Sequence, residues 1–434
     1  DFIWNIETDQ SNDSLDIVYA ATYKSIYKSI NGGNNWNKVL HANSSTSIYV
    51  YSYYTNVDIT TSGVVYATLS SDGCPLDTTA LGKGQGIWRS IDGQNWTNIT
   101  DSLFPPVYDR IAIGINPINE NEVYCIAAST DGYGQYTDVF FGGSTWTSLW
   151  KYNYLSGDGS GTGAQWTDLS SNIPANQPTS FDNFNAQGGY DLLVQVHPTN
   201  PNVVYIGGTN LWRSTDGFTT PNNTMIIGGY FIGSTEGDGN WGVYKDHHPD
   251  QHDLLFLPSN DSVMLSATDG GVFKSYNAFQ DTVHWMSLNN GYYTTQLYGV
   301  TVSRNANSNV MHGGFQDNGN FVNFSANPTS HWNMPFNGDG GFAGIADNEE
   351  DFYLTIQRGV MYKMKLDTNA ERLAFNRMDP ISADSTYYMF INPMVMDDNS
   401  DIIYWAEGHK FWRNNDATNI PYNNSHQKSD LGWH

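Results

Sequence analysis

Three features of the sequence predict an all-β fold built from repeated four-stranded antiparallel units. A basic residue behind an aromatic residue returns at a nearly constant interval, polar turns and short apolar strands accompany each copy, and the composition favours strands. Aromatic residues make up 14% of the 434-residue chain, and 42 glycines and 16 prolines interrupt it at short intervals. We therefore expect many short strands joined by turns and almost no helix.

The basic residue of the repeat stands in the segments IYKS, IWRS, LWKY, LWRS and VFKS. Its successive copies are 61, 62, 62 and 61 residues apart, and they are Lys28, Arg89, Lys151, Arg213 and Lys274. Weaker copies follow in MYKM and FWRN, and NFVNF takes the equivalent place between VFKS and MYKM. A regular interval of this length is typical of repeat architectures such as propellers and solenoids.

Each copy stands within a set of four short strands, A to D. A polar turn and an apolar strand precede it, as in NPINENEVYCIAAS, and an alternating strand such as YDLLVQV lies further upstream. A strand that begins with Trp, such as WTNIT, follows it. Four such strands are the content of one β-propeller blade, and eight units can be distinguished. The sequence thus predicts one β-propeller of seven to eight blades over residues 1–434, either complete or as part of a larger propeller.

The predicted turn between strands C and D repeats in SINGGNNW, SIDGQNW and STDGFTT. Its serine, acid or amide, and tryptophan positions are Ser29, Asn31, Trp36, Ser90, Asp92, Trp96, Ser214 and Asp216. These turns resemble the Asp-box, or BNR repeat, of sialidases, sortilin-like luminal domains and propeller glycosidases that attack xyloglucan. We interpret them as structural, because the acid can accept turn amides, glycine supplies a positive φ, and tryptophan can pack between blades. Burial between blades is accordingly expected for Trp36, Trp96, Trp166 and Trp285.

The charge of the chain limits the classes of partner that it could bind. The net charge is −25 with only 19 Lys plus Arg, so nucleic acid and anionic membranes are poor partners, and a protein or glycan ligand fits better. No run approaches the ~18 apolar residues of a membrane span, and we expect a chain that does not cross a membrane. The N-terminus shows no signal segment, which we interpret as one already removed from a secreted or cell-surface protein. Spacing leaves open whether Cys74 and Cys125 pair.

The segment HHPDQHDLLF, residues 247–256, contains the first candidate site. His248, Asp250 and His252 fall at i, i+2 and i+4, which would place all three side chains on one face of an extended strand. Imidazole and carboxylate groups together could bind calcium or another divalent cation. The segment is therefore a candidate metal site.

Three Gly-rich turns are expected on the same face as that segment, namely TDGG, FQDNG and NGDGG. Their acids, Asp269, Asp317 and Asp339, have three alternative roles: capping of tight turns, cation binding, or catalysis, with Asp269 and one of the other two as a general-acid and general-base pair. Further ligand-binding residues are predicted in these turns and in the long insertions of that face, and they are Gln316, Asn318, Tyr133, Tyr136, Phe184 and Trp241.

The resemblance to Asp-box proteins implies three alternative functions. A sialidase is disfavoured, because an arginine cluster would clamp the substrate, whereas Arg89, Arg213 and Arg413 occupy the repeated strand-C position. A xyloglucan hydrolase is disfavoured because the first unit has ATYKSIYKS where those enzymes carry an Asp-Ile-Gly-Gly-like turn. The favoured hypothesis is an extracellular recognition module that binds a protein or glycan on its loop-rich face. A glycoside hydrolase that uses paired aspartates and a structural cell-surface module are the alternatives.

Overall fold

A computed structural model of the chain describes residues 2–23, 25–41, 54–70, 85–129, 132–139, 143–232, 242–292 and 295–434. The chain divides into two compact units, Asp1–Gly291 (unit 1) and Tyr292–His434 (unit 2). The described strands form eight antiparallel sheets, and the helices in the described ranges are 3-10 turns of three residues. Within these ranges no helix has the length and apolar character needed to cross a membrane. The predicted all-β propeller fold is confirmed.

Unit 1 contains five of the sheets, and in four of them the strands are hydrogen-bonded in chain order. The strands of the first two sheets are β1 (Ile3–Asp9), β2 (Ile17–Thr22), β3 (Ser25–Ser29), β4 (Asn37–His41), β5 (Thr55–Ile59), β6 (Val65–Leu69), β7 (Gly86–Ser90) and β8 (Thr97–Asn98). Those of the next three are β9 (Tyr108–Ile115), β10 (Glu122–Ser129), β11 (Gln135–Val139), β12 (Gly143–Tyr154), β13 (Ala164–Asp168), β14 (Leu193–Val196), β15 (Val204–Gly207), β16 (Leu211–Ser214), β17 (Thr224–Gly228), β18 (Gln251–Leu257), β19 (Asn260–Thr268), β20 (Gly271–Ser275) and β21 (Trp285–Ser287). Three 3-10 turns lie in the same unit, at Gly161–Gly163, Ser170–Asn172 and Gln187–Gly189.

The third sheet carries an additional strand that the repeat did not predict. Strand β12 pairs with β10 along most of its length. On its other side, β11 pairs with the first residues of β12, and β13 pairs with the last residues of β12. The insertion after β10 therefore folds back as a hairpin with β12. This places Tyr136 on an edge strand.

Unit 2 contains the remaining three described sheets, each in chain order. Its strands are β22 (Leu297–Val302), β23 (Met311–Phe315), β24 (Gly319–Asn323), β25 (Asn333–Phe336), β26 (Ala343–Ile345), β27 (Asp351–Ile356), β28 (Val360–Leu366), β29 (Arg372–Arg377), β30 (Met394–Met396), β31 (Ile403–Glu407) and β32 (Lys410–Asn414). The 3-10 turns of this unit are Gln357–Gly359, Ser385–Tyr387 and Ala417–Asn419. The last sheet has three described strands, so seven of the eight predicted units have at least four.

The sheets of unit 1 pack through their first strands. Strand β1 contacts β5, β5 contacts β9, β9 contacts β14, and β14 contacts β18. All five strands line one cavity of about 680 Å³. The second strand of the second sheet is packed on both faces, which explains why Val65–Leu69 is buried at every position and shows no polar alternation.

The periodic basic residues of strand C tie successive sheets together. Lys28 is nearly buried, and its Nζ donates to the carbonyl oxygen of Asp92, in the C–D turn of the next sheet, at 2.8 Å. Arg213 is 3% exposed and donates from Nη1 to the carbonyl oxygen of Gln280 at 3.0 Å, again in the next C–D turn. Arg89 makes a longer contact of the same kind with Asp158, at 3.5 Å. At these three positions, the period of about 61 residues corresponds to a contact between neighbouring blades.

Unit 2 repeats this contact in its last two sheets. Lys363 is 1% exposed, and its Nζ donates to the carbonyl oxygens of Thr418 at 2.6 Å and Ile420 at 3.1 Å. In strand B, Tyr353 is paired with Lys363 in register and is fully buried. A strand-B tyrosine and the strand-C basic residue are thus cross-strand partners here, as Tyr19 and Lys28 are in the first sheet.

The Ser-x-Asp turns have the hydrogen bonds that the sequence predicts. Ser90 Oγ donates to Asp92 Oδ1 at 3.0 Å and accepts the Gly93 amide at 2.8 Å. Asp92 Oδ1 also accepts turn amides, chiefly that of Asn95 at 2.8 Å, and these bonds hold the pKa of Asp92 below its usual value. Equivalent bonds occur in the turns that begin at Ser29 and Ser214. A fourth turn, which the sequence did not predict, has the same arrangement, and in it Ser275 Oγ donates to Asn277 Oδ1 at 2.6 Å.

The tryptophans of these turns differ in burial, which corrects part of the prediction. Trp285 is 5% exposed, and its Nε1 donates to the Ile227 carbonyl of the preceding sheet at 2.6 Å. Trp96 and Trp166 are only half-buried. Trp36 is 39% exposed, and its ring lies against Gly33 of its own turn, where an added Cβ would be 3.4 Å from Cζ2.

Candidate functional site

Three chemically active side chains converge at one end of the cavity in unit 1. Asp191 lies in the D–A connection before β14, His252 lies near the start of β18, and Asp269 lies in the B–C turn between β19 and β20. His252 Nε2 is 2.5 Å from Asp269 Oδ1 and 4.0 Å from Asp191 Oδ1. One ligand atom from each of the three residues lies within 4.8 Å of the others. We call this group the Asp191 cluster.

The backbone before β18 differs from the predicted extended segment. Asp250 has a φ of 64°, and the strand begins only at Gln251, so the two-residue alternation does not extend back to His248. His252 reaches the Asp191 cluster, while Asp250 is buried beside it and accepts a hydrogen bond from Gln187 Nε2 at 2.8 Å. The ring of His248 instead packs where a Cβ on residue 270 would stand, 2.2 Å from Cγ, which explains the glycine there. The prediction that all three share one strand face is therefore wrong.

Burial dominates the electrostatics of the Asp191 cluster. Asp191 is fully buried, and burial, followed by the nearby Asp250 and Asp269 carboxylates, raises its pKa to about 10. Burial also raises the pKa of Asp250, to about 6, although His248 partly opposes this. Because Asp191, Asp250 and Asp269 lie close together in a buried environment, this group favours retention of a proton or binding of a cation.

Arg110, on the neighbouring strand β9, supplies positive charge to this end of the cavity. Its Nη1 donates to the carbonyl oxygens of Gly189 at 3.3 Å and Tyr190 at 2.9 Å. These bonds fix the connection that carries Asp191. Burial lowers the pKa of Arg110, and the Asp191 charge partly opposes that shift.

Tyr190 presents an aromatic ring beside the same group. It is 46% exposed, and its hydroxyl donates to Asp269 Oδ1 at 3.2 Å. Its ring meets the His252 imidazole edge to face, with centroids 5.1 Å apart. A fixed aromatic surface therefore lies next to a carboxylate and an imidazole.

The two predicted turns of unit 2 come together within that unit. The Asp317 amide donates to Asp339 Oδ1 at 3.1 Å, and the Gly340 amide donates to the Phe315 carbonyl at 3.0 Å. Asp317 has a φ of 58°, and Asn318 Nδ2 donates to the Gln316 carbonyl at 3.0 Å. Asp339 thus caps a neighbouring turn, as one of the three alternatives predicted. Asp269 belongs to unit 1, whereas Asp317 and Asp339 belong to unit 2.

The aromatic residues predicted to contact a ligand have different environments. Tyr133 and Tyr136 are exposed by 41% and 43%, and the Tyr136 hydroxyl donates to Asp138 Oδ1 at 2.6 Å. Phe184 is fully buried in the core between the third and fourth sheets, so it is a packing residue and not a ligand contact. Trp241 lies outside the described residues.

Acidic side chains also line the cavity itself. Burial, and next the Asp58 and Asp253 carboxylates, raise the pKa of Glu7 to about 7, with partial opposition from Asn5. Burial raises the pKa of Asp58 to about 6, although this carboxylate accepts the amides of Ile59 at 2.8 Å and Ile115 at 3.2 Å. The wall of the cavity therefore gains negative charge as pH rises through the neutral range.

Glu7 should make the stability of unit 1 depend on pH. Because its pKa is raised from 4.5 to about 7, the folded chain keeps a proton that the unfolded chain loses between these values, and stability falls as pH rises through this window. We expect Glu7→Gln to be more stable than the wild type at pH 8, and the gain in the free energy of unfolding should exceed the gain at pH 4 by about 1–3 kcal/mol. Urea unfolding at both pH values measures this. Asp13→Asn, at an exposed acid, is the control, and an equal pH effect in both variants would contradict the assignment.

Sequence reasoning missed Asp191, Tyr190 and Glu7. Asp191 and Tyr190 stand at the start of the predicted strand YDLLVQV, where neither belongs to a recognisable motif. The signal that could have identified Asp191 is a charged residue directly before an apolar strand A, at the end of the blade where the other candidates lie. Glu7 could have been found as the polar member of an innermost strand.

Comparison with known proteins supports the fold. No protein-family model matches the chain, and no curated protein matches its sequence. Among solved structures, the chain is similar to the GH74 enzyme of Niastella koreensis, with 15% identity and a TM-score of 0.53 over 98% of this chain and 57% of that one. It is similar to the GH74 xyloglucanase of Xanthomonas campestris, with 15% identity and a TM-score of 0.54 over 96% of this chain and 56% of that one. The chain thus spans less than two thirds of either structure, and the likeness establishes the β-propeller fold.

Proposed function

We propose that this chain is a secreted recognition β-propeller that binds a neutral glycan beside the Asp191 cluster. The observation that carries the proposal is Tyr190, an exposed ring held in place by Asp269 and His252 at the end of the unit 1 cavity. A rigid aromatic face with adjacent polar groups suits a sugar ring, which offers an apolar face and a rim of hydroxyl groups. The resemblance of the Ser-x-Asp turns to Asp-boxes supports a secreted, extracellular location.

Charge favours a neutral ligand over an anionic one. Arg110 is the only arginine or lysine among the cavity-lining residues in the described part of the chain, and its guanidinium donates to backbone carbonyls of the chain itself. Glu7, Asp58 and Asp253 line the same space. An acidic sugar or a nucleic acid would therefore meet unfavourable electrostatics, whereas hydroxyl groups could donate to the carboxylates.

A glycoside hydrolase is the second candidate, supported by the proximity of two carboxyl groups and by the propeller fold shared with GH74 enzymes. The raised pKa of Asp191 would keep this carboxyl group protonated, as a general acid requires before the reaction. Against this role, Asp191 is fully buried, and Asp269 is already engaged by His252 and Tyr190. Binding without cleavage is therefore the better-supported activity.

Replacing Tyr190 by alanine should weaken glycan binding at least tenfold, because the ring would supply most of the apolar contact. The probes are soluble xyloglucan and unsubstituted β-1,4-glucan oligosaccharides, with polygalacturonate as the anionic comparison. Calorimetric titration measures affinity, and a reducing-sugar assay on the same samples measures cleavage. Tyr190→Phe should retain most of the affinity, because it keeps the ring.

Tyr276→Ala is the matched control, because this tyrosine is 60% exposed in the C–D turn after β20, at the other end of its blade. Equal losses in the two alanine variants would contradict the proposed site. Release of reducing ends by the wild-type chain would favour the hydrolase instead. Binding to a protein with no affinity for any of the glycans would overturn the proposal.

A further inference from the structure

The Asp191 cluster has the composition and geometry of a cation site. Its ligand atoms come from three separate segments: the connection before β14, strand β18, and the turn before β20. In tetrahedral zinc coordination, neighbouring ligand atoms lie roughly 3.3–3.6 Å apart. The distances of 2.5 and 4.0 Å from His252 Nε2 to its two acidic neighbours bracket this value, so small side-chain rotations would suffice.

A second observation points to a missing partner for Asp191. Its side chain is fully buried, and neither carboxylate oxygen accepts a hydrogen bond from an N–H group or a hydroxyl group of the described residues, although the Asp250 carboxyl lies close enough to share a proton with it. A buried polar group without a hydrogen bond is costly, and an ion is one of the few explanations for it. The Asp191 carboxylate faces Asp250, His252 and Asp269, and no arginine or lysine forms an ion pair with it in the described ranges.

We propose that Asp191, His252 and Asp269 bind a divalent transition-metal ion, with zinc as the preferred probe. One imidazole nitrogen and two carboxylates favour zinc or manganese, whereas calcium requires six to eight oxygen ligands. Asp250 and Gln187 lie behind the ligands: Gln187 holds the Asp250 carboxylate beside Asp191, and thus fixes the acidic environment. Three protein ligands leave at least one coordination position for water. This inference does not depend on glycan binding.

The test uses the intact chain after chelator treatment and dialysis. Calorimetric titration with zinc chloride should give one equivalent bound, with weaker binding of manganese and weakest binding of calcium. Elemental analysis after gel filtration should give the same stoichiometry. His252→Ala and Asp191→Asn should each weaken zinc binding at least about 100-fold, since loss of a ligand should exceed the 10–100-fold effect typical of residues behind the ligands.

Controls distinguish loss of the site from loss of the fold. His284→Ala and Asp281→Asn remove an exposed histidine and an exposed acid from the C–D turn after β20, and both variants should retain one equivalent of zinc. Asp191→Asn should melt no lower than the metal-free wild type, because it removes a buried carboxyl group of nearly the same shape. Absence of zinc and manganese binding by the folded wild type, unchanged binding in both ligand variants, or a preference for calcium would each overturn the proposal.

Discussion

Replacing Trp285 by alanine should lower the free energy of unfolding of unit 1 by about 3–5 kcal/mol, the cost typical of deleting a large buried aromatic side chain. The ring lies in the core between the fourth and fifth sheets and packs against His247, with ring centroids 4.2 Å apart. Truncation would also leave the Ile227 carbonyl without its indole donor. Thermal melting and urea unfolding of the variant measure the loss.

Trp36→Ala provides the matched comparison, because it deletes the same side chain at the corresponding turn position of the first sheet, where the ring is 39% exposed. We expect a loss below about 1 kcal/mol there, as for surface substitutions. Similar losses at both positions would show that burial between sheets does not determine the effect.

Replacing Arg213 by methionine should cost about 2–4 kcal/mol, because hydrogen bonds to charged groups contribute roughly 1.5–3 kcal/mol and their loss leaves buried carbonyl groups unpaired. Arg213 Nη1 donates to the carbonyl oxygens of Ala278 at 2.5 Å and Gln280 at 3.0 Å, so it joins the fourth sheet to the fifth. Methionine retains much of the apolar volume, which limits the effect to the lost guanidinium. Urea unfolding is the measurement.

Lys151→Met is the control for this substitution. Lys151 holds the same place in the repeat but is half-buried, and its Nζ makes no hydrogen bond with any residue in the described ranges. A loss below about 1 kcal/mol is expected. Equal losses of stability in the two variants would contradict the idea that the contact with the next sheet explains the regular spacing of the basic residues.

The fold could be predicted because its strongest signal is a basic side chain that recurs at the junction between blades. Lys28, Arg89 and Arg213 each reach the next C–D turn, whereas Lys151 holds the same place in the repeat without such a bond in the described ranges. The Ser-x-Asp turns were predictable for a different reason, because their hydrogen bonds join residues only a few positions apart. The exposure of Trp36 was not, because it depends on which neighbouring surface covers the turn.

The candidate site was only partly predictable, because it depends on contacts between segments distant in sequence. His252 and Asp269 were identified from local patterns, and the structure places them 2.5 Å apart. Asp191 comes from the preceding blade and has no local signature. The positive φ of Asp250 interrupts the alternation, and no glycine marks it. Phe184 shows the converse error, since an aromatic residue in a long connection can equally belong to the core.

The contacts between successive blades also bear on how the chain folds and how it could have evolved. Each closes a segment of similar length, 64 residues for Lys28 to Asp92 and 67 for Arg213 to Gln280. Loop-closure entropy grows only slowly with length, so no pair of neighbours has a large kinetic advantage, and assembly could nucleate at any pair and propagate in both directions. Duplication of one segment of about 61 residues would carry its own donor and acceptor, and would therefore insert a blade without breaking the contacts on either side.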